Sequence, residues 1–108
     1  MSKKVYTIKQ GDTTPVNLMR FDDIDVSLCT CSQTVRRSID IDPIITDPVS
    51  ETVTKDAVDW FQVFLNPTQT ATLAPGEWLW SVQIVCSSST PPQTKETHFT
   101  LKVEKQAV

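Results

Sequence analysis

The chain has 108 residues, 39% hydrophobic and 21% charged, with ten Lys and Arg against thirteen Asp and Glu for a net charge of -3. That length suits a single domain over residues 1–108 with one core, and the composition is far from the lean, highly charged signature of disorder. No cationic run exceeds a pair and no apolar run nears the ~20 residues of a bilayer span, so binding to nucleic acid and crossing of a membrane are excluded as expectations.

The N-terminal MSKKVYTIKQGDT lacks the apolar stretch of a secretory signal, so a soluble chain made in the cytosol is expected. Three cysteines, Cys29, Cys31 and Cys86, cannot close a disulfide framework. Reduced, partly buried thiols are the expectation, with a Cys86 bridge to Cys29 or Cys31 as the alternative under oxidising conditions.

Two glycines, seven prolines and twenty-four Ser and Thr residues disfavour long helices and favour strands. KVYTIKQ is the first predicted strand, ending at the Gly11-Asp12 turn signal. PVNLMRF, residues 15–21, is the second, stopping at Asp22, Asp23 and Asp25. A short third strand, DVSLCT, leads to TVRRSIDI at 34–41, where Val35, Ile39 and Ile41 share a face with Arg37, whose stem then lies along apolar surface or marks a wet edge. Asp42-Pro43 and Asp47-Pro48 break the chain, so residues 42–56 read as a loop with some extended structure around Ile44 and Val53.

AVDWFQVFL, 57–65, is a strand with apolar bulk on both faces. Asn66 and Pro67 then suit a helix cap and first turn, giving a short helical connection before Pro75-Gly76. EWLWSVQIVC, 77–86, has the cleanest alternation in the sequence, with Trp78, Trp80, Val82, Ile84 and Cys86 on one side. SSSTPPQT is an exposed loop, and KETHFTLKVE closes the chain with Thr97, Phe99, Leu101 and Val103 facing inward. About seven short strands with one short helical turn predict an all-β, antiparallel β-sandwich of immunoglobulin-like type, with a small barrel as the alternative. The Cys-Trp-Cys spacing of antibody domains is missing.

Nothing assembles into a catalytic site, and no enzyme is expected. His98, the single histidine, points outward on the last strand without a converging nucleophile and orienting group. Cys29 and Cys31 would need two more ligands to hold zinc. The carboxylates at 22, 23, 25, 40, 42 and 47 lack EF-hand spacing and fit solvated turns. Two isolated glycines make no phosphate-cradling loop. The expectation is therefore no catalytic residues, no cofactor and no metal. The aromatic segment carries the functional reading. With Phe61, Val63 and Leu65 in the core, the pleat turns Val58, Trp60 and Phe64 outward, where Leu79 and Val85 of the next strand join them as a protein interface. The alternative is that residues 42–56 fold over this patch.

YTIKQGDTTPV, the central F-x-V-x-L strand, TQTATLAPGEWLWSVQI and the closing HFTLKVE resemble small bacteriophage proteins related to the N-terminal immunoglobulin-like module of phage baseplate upper proteins. The likeness spans nearly the whole chain and is most specific at Gly11-Asp12-Thr13 and at QTATL-x-PG-x-W-x-W-x-VQI; residues 25–56 match weakly. It implies a virion structural protein, synthesised in the host cytoplasm and present in multiple symmetric copies. Such a protein contacts other virion proteins of the tail, baseplate, neck or capsid. The chain ends soon after the module, which favours an accessory, adaptor or decoration subunit over direct host recognition. A carbohydrate- or receptor-binding module of the virion surface, using a tryptophan as a sugar platform, is the alternative.

Overall fold

The computed structural model describes residues 4–21, 24–87 and 92–105. Its strands are β1 (Lys4–Lys9), β2 (Asn17–Met19), β3 (Thr30–Arg36), β4 (Ile45–Val49), β5 (Thr52–Lys55), β6 (Val58–Val63), β7 (Gly76–Cys86) and β8 (Gln93–Glu104); one short helix, α1 (Pro67–Ala71), joins β6 to β7. Two sheets result, one of five strands in the order β1-β8-β7-β3-β4 and one of three in the order β2-β6-β5. Every pairing is antiparallel except that of β1 with β8, which is parallel.

The five-stranded sheet is organised around β7, whose alternation dictates its inner face: Trp78, Trp80, Val82, Ile84 and Cys86 are all buried. β8 pairs along its whole length, from Gly76↔Val103 to Cys86↔Gln93, and β3 flanks it from Thr30↔Val85 to Arg36↔Leu79. Phe99, Leu101, Val103, Val35 and Ile8 extend the same apolar layer, and Phe61 and Val63 of β6 close it from the other sheet, with Leu65 and Leu73 sealing the end near α1. Burying each such side chain contributes about 1.5–3 kcal/mol. Tyr6, Trp80 and Phe99 form a tilted aromatic cluster with centroids 5.1 to 5.9 Å apart.

α1 starts as its sequence dictates: the Asn66 side chain accepts from Gln69 N, the Gln69 side chain accepts from Asn66 N, and Pro67 occupies the first turn. The Gly11-Asp12 turn, with Gly11 at φ 85°, docks on this segment. Thr70 Oγ1 donates to Asp12 O at 2.6 Å, Gln10 Nε2 donates to Leu73 O at 2.9 Å, and buried Thr14 exchanges two hydrogen bonds with the Leu65 backbone. Thus two of the most distinctive sequence stretches, 10–14 and 65–73, are used to hold each other.

Several expectations change. Residues 42–56 are more strand than loop: the extended structure expected around Ile44 and Val53 is β4, beginning at Ile45, and β5, which contains Val53, with the chain crossing between sheets at Ser50 and Glu51. Asp47-Pro48 breaks nothing, because β4 is an edge strand, where a missing amide donor is tolerated. The strand expected at 34–41 instead spans Thr30–Arg36; after Arg36 a turn forms, with Ile41 N donating to Ser38 O, and Ile39 and Ile41 stand 66% and 50% exposed. DVSLCT becomes a 3-10 turn over Val26–Leu28, because the Asp25 side chain caps Ser27 N at 2.8 Å. Those Ser27 hydrogen bonds also hold the Asp25 carboxyl below its usual range. Asp22 and Asp23 lie outside the described residues.

Candidate protein interface

Val58, Trp60 and Phe64 do lie on the outer side of β6, each half-buried, while Phe61, Val63 and Leu65 point into the core. Leu79 does not join them. β6 and β7 sit in different sheets, so Leu79, beside Val5 and Thr100 in register, belongs to the outer face of the opposite layer. The reason is that the short helical connection, α1, carries the chain from one layer to the other, so β7 does not lie beside β6.

Neither does a 42–56 loop cover Trp60. β5 pairs alongside, placing Val53 opposite Trp60 at 37% exposure, and the Arg20 guanidinium lies 5.6 Å from the Trp60 ring centroid. Arg20 Nη2 donates to Ile24 O at 3.4 Å, and Lys95 Nζ donates to Arg20 O at 3.5 Å. Trp60 Nε1 and Arg20 Nε are buried without a hydrogen-bond partner among the described residues, which makes this a costly place to leave polar groups.

The other tryptophans are fixed internally. Trp78 Nε1 donates to Ala74 O at 2.9 Å, and its ring lies under the Arg37 guanidinium at 3.9 Å. Arg37 also donates to Glu77 O and Pro75 O, which fixes its guanidinium over the Trp78 ring. Gly76 permits this closure: at φ 134°, a Cβ there would meet Arg37 Nη1 at 2.5 Å. Trp80 Nε1 donates to Gln33 Oε1 at 2.9 Å. Gln33 Nε2 then donates to Phe64 O and to Asp47 Oδ2, each at 3.0 Å, and Gln69 Nε2 donates to the same Asp47 oxygen at 2.9 Å. This partly buried seam couples both sheets and α1, and the sequence reading missed it. Its signal was an amide at an inward position of β3, between Cys31 and Val35, in a core whose tryptophan needs an acceptor.

Cys29 and Cys86 form a disulfide with S–S 2.03 Å, which corrects the reading of three reduced thiols. Thr30↔Val85 pairing sets the two cysteines directly across β3 and β7. Cys31, two residues on along the same inner face, is free and buried, and burial pushes its thiol up to about 11. It is therefore protonated at neutral pH and a poor partner for exchange with the bridge beside it.

Ser81 Oγ lies 2.8 Å from His98 Nδ1 on the outer face of the five-stranded sheet, beside a cleft that Arg37, Ile39, Leu79 and Thr100 help to line. Among the described residues no carboxylate is hydrogen-bonded to the imidazole, so the pair is not held as the base and nucleophile of a triad. Among the described residues no three His, Cys, Asp or Glu side chains converge as metal ligands, and none of the helices there is long and apolar enough to cross a membrane.

Three of the exposed large apolar side chains fall in one connection, from β3 to β4: Ile39, Ile41 and Ile44 are 66%, 50% and 54% exposed. This connection is not slack, since Ile44 N donates to Val35 O at 2.9 Å, Ile41 N to Ser38 O at 3.1 Å and Arg36 Nη1 to Ile41 O at 3.4 Å. Three isoleucines held outward by backbone hydrogen bonds are a surface that water alone covers at a cost. Comparison with protein-family models and with curated proteins finds no match to this chain.

Proposed function

We propose that this chain is a bacteriophage structural protein, an immunoglobulin-like module acting as an accessory, adaptor or decoration subunit through contacts with other virion proteins. The observation that carries a binding role is the ordered, outward-facing triad Ile39, Ile41 and Ile44. The finer fold reading is supported by connectivity: a first strand parallel to the last, a β1-β8-β7-β3-β4 layer and a β2-β6-β5 layer fit the strand plan of immunoglobulin-type sandwiches. The sequence resemblance supplies the phage context. Fold alone does not select a role.

The outer face of β6 around Val58, Trp60 and Phe64 is a second contact surface in this reading, with the Arg20 segment shifting aside or forming part of the contact. A sugar platform has less support, because Trp80 is fully buried and Arg37 and Arg20 lie against the rings of Trp78 and Trp60. Mass spectrometry of density-purified particles from the source culture tests the proposal. Peptides of the chain at fixed stoichiometry to capsid and tail proteins are expected; their absence from particles overturns it.

A further inference from the structure

The two sulfurs of the Cys29–Cys86 bridge differ in access. Cys86 is fully buried on the inner face of β7, whereas Cys29 is half-buried just before β3, its Sγ 3.6 Å from the Asp25 carbonyl oxygen of the capped turn. A cleft of about 480 Å³, lined by Ser27, Cys29, Thr30, Val49, Ser50 and Thr52 among others, opens where the chain crosses between the sheets. That is room for a small ligand. The sheet order β7-β3-β4 sets this cleft on the side of β3 away from Cys86. A thiolate that displaces a disulfide sulfur approaches from the side opposite the departing partner, so the cleft admits attack on Cys29 and none on Cys86.

We propose that Cys29 is a thiol-exchange site, through which small-molecule thiols of the glutathione type open the bridge of the folded chain and their disulfides close it. The incoming thiolate bonds to Cys29 Sγ; the Cys29–Cys86 bond breaks, and its electron pair leaves on Cys86 Sγ, which takes up a proton. A second thiolate then attacks the reagent sulfur of the mixed disulfide, releasing the Cys29 thiolate and the reagent's own disulfide. Two reagent thiols are thereby oxidised to one disulfide while the bridge is reduced to two thiols. Closure runs the same steps backwards. The ladder from Thr30↔Val85 onward and the apolar layer on β7 are independent of the bridge, so the reduced chain keeps the two cysteines opposite each other for reclosure. Cys31 stays a buried, protonated bystander, and exchange does not scramble the pairing. The site does not depend on the virion reading, and each can fail without the other.

Differential alkylation tests it. The oxidised native chain is incubated with reduced glutathione, quenched with acid, alkylated in denaturant and mapped by mass spectrometry. Glutathione is expected on Cys29 and the alkyl label on Cys86, with an opening rate unchanged by urea below the unfolding transition. A second readout uses oxidised glutathione: Cys86→Ala is expected to take up the adduct at Cys29 at least about tenfold faster than Cys29→Ala takes it up at Cys86. Where either variant fails to fold, the wild-type map decides alone. A wild-type map without the excess of adduct at Cys29 overturns the proposal, as does equal uptake by the two variants. Opening that rises with urea in step with global unfolding, or a bridge that stays closed in native buffer, overturns it too.

Discussion

Residues 57–65 and residues 38–44 are both rich in large apolar side chains, and the structure treats them oppositely. The first has apolar bulk at both parities, yet β6 is covered on its inner face and half-covered on its outer one. The second has the tidier alternation, and its isoleucines stand in solvent. What separates them is neighbours. β6 lies between β2 and β5, whereas the chain leaves the β3 ladder at Arg36 and gains no other strand until β4 begins at Ile45. Apolar periodicity therefore reports burial only where backbone hydrogen bonds hold the stretch against a second layer.

Substitutions sharpen that contrast, beginning with the strand. Phe61→Ala empties a core position on β6 and should cost about 3–5 kcal/mol in denaturant unfolding, with the midpoint falling and the slope unchanged. Gln33→Ala strands Trp80 Nε1 and the Phe64 carbonyl in the interior, and a loss of about 2–4 kcal/mol is expected by the same measurement. Alkaline titration reads the inner face near β4. The Cys31 thiol is raised from 9.0 to about 11 in the fold, so above its unfolded value the unfolded chain binds fewer protons than the native one. Stability should then drop by about 2–3 kcal/mol as pH rises from 9 to 11, and Cys31→Ala should lack that component.

Smaller effects belong to the surface. Asp56 and Ala57, at φ 55° and 63°, form the two-residue turn between β5 and β6. Ala57→Gly removes a left-handed alanine and should stabilise the chain by about 0.5–1 kcal/mol, seen as a higher melting temperature. Ile39→Ser, Ile41→Ser and Ile44→Ser should each change monomer stability by less than about 0.5 kcal/mol. A larger loss at any of the three would mean that the loop is packed after all and would erase the comparison.

The layered architecture was legible because β7 and the end of β8 alternate without interruption and because Asn66-Pro67 marks a helix start in plain chemistry. β4 was not, since ITDPV contains the residue pair that ordinarily stops a strand, and only its place at an edge makes Pro48 harmless. Leu79 was assigned to the wrong surface for a similar reason. Parity tells which side of its own strand a residue takes, but not which sheet the strand joins. Among the interface residues, the outward direction of Val58, Trp60 and Phe64 followed from the pleat, whereas the Arg20 cover depends on a chain segment forty residues away. Ile39 and Ile41 were placed on one strand face with Val35 because their spacing imitates a strand, whereas β3 ends at Arg36 and the chain turns after it.

The Cys29–Cys86 bridge spans 57 residues and encloses everything from β3 to β7, including the whole excursion through β5, β6 and α1. Once oxidised, that half of the polypeptide is a covalent ring, and by loop-closure entropy its denatured form is disfavoured by about 4 kcal/mol. β1, β2 and β8 lie outside that ring, so backbone pairing and packing hold them with no covalent tie.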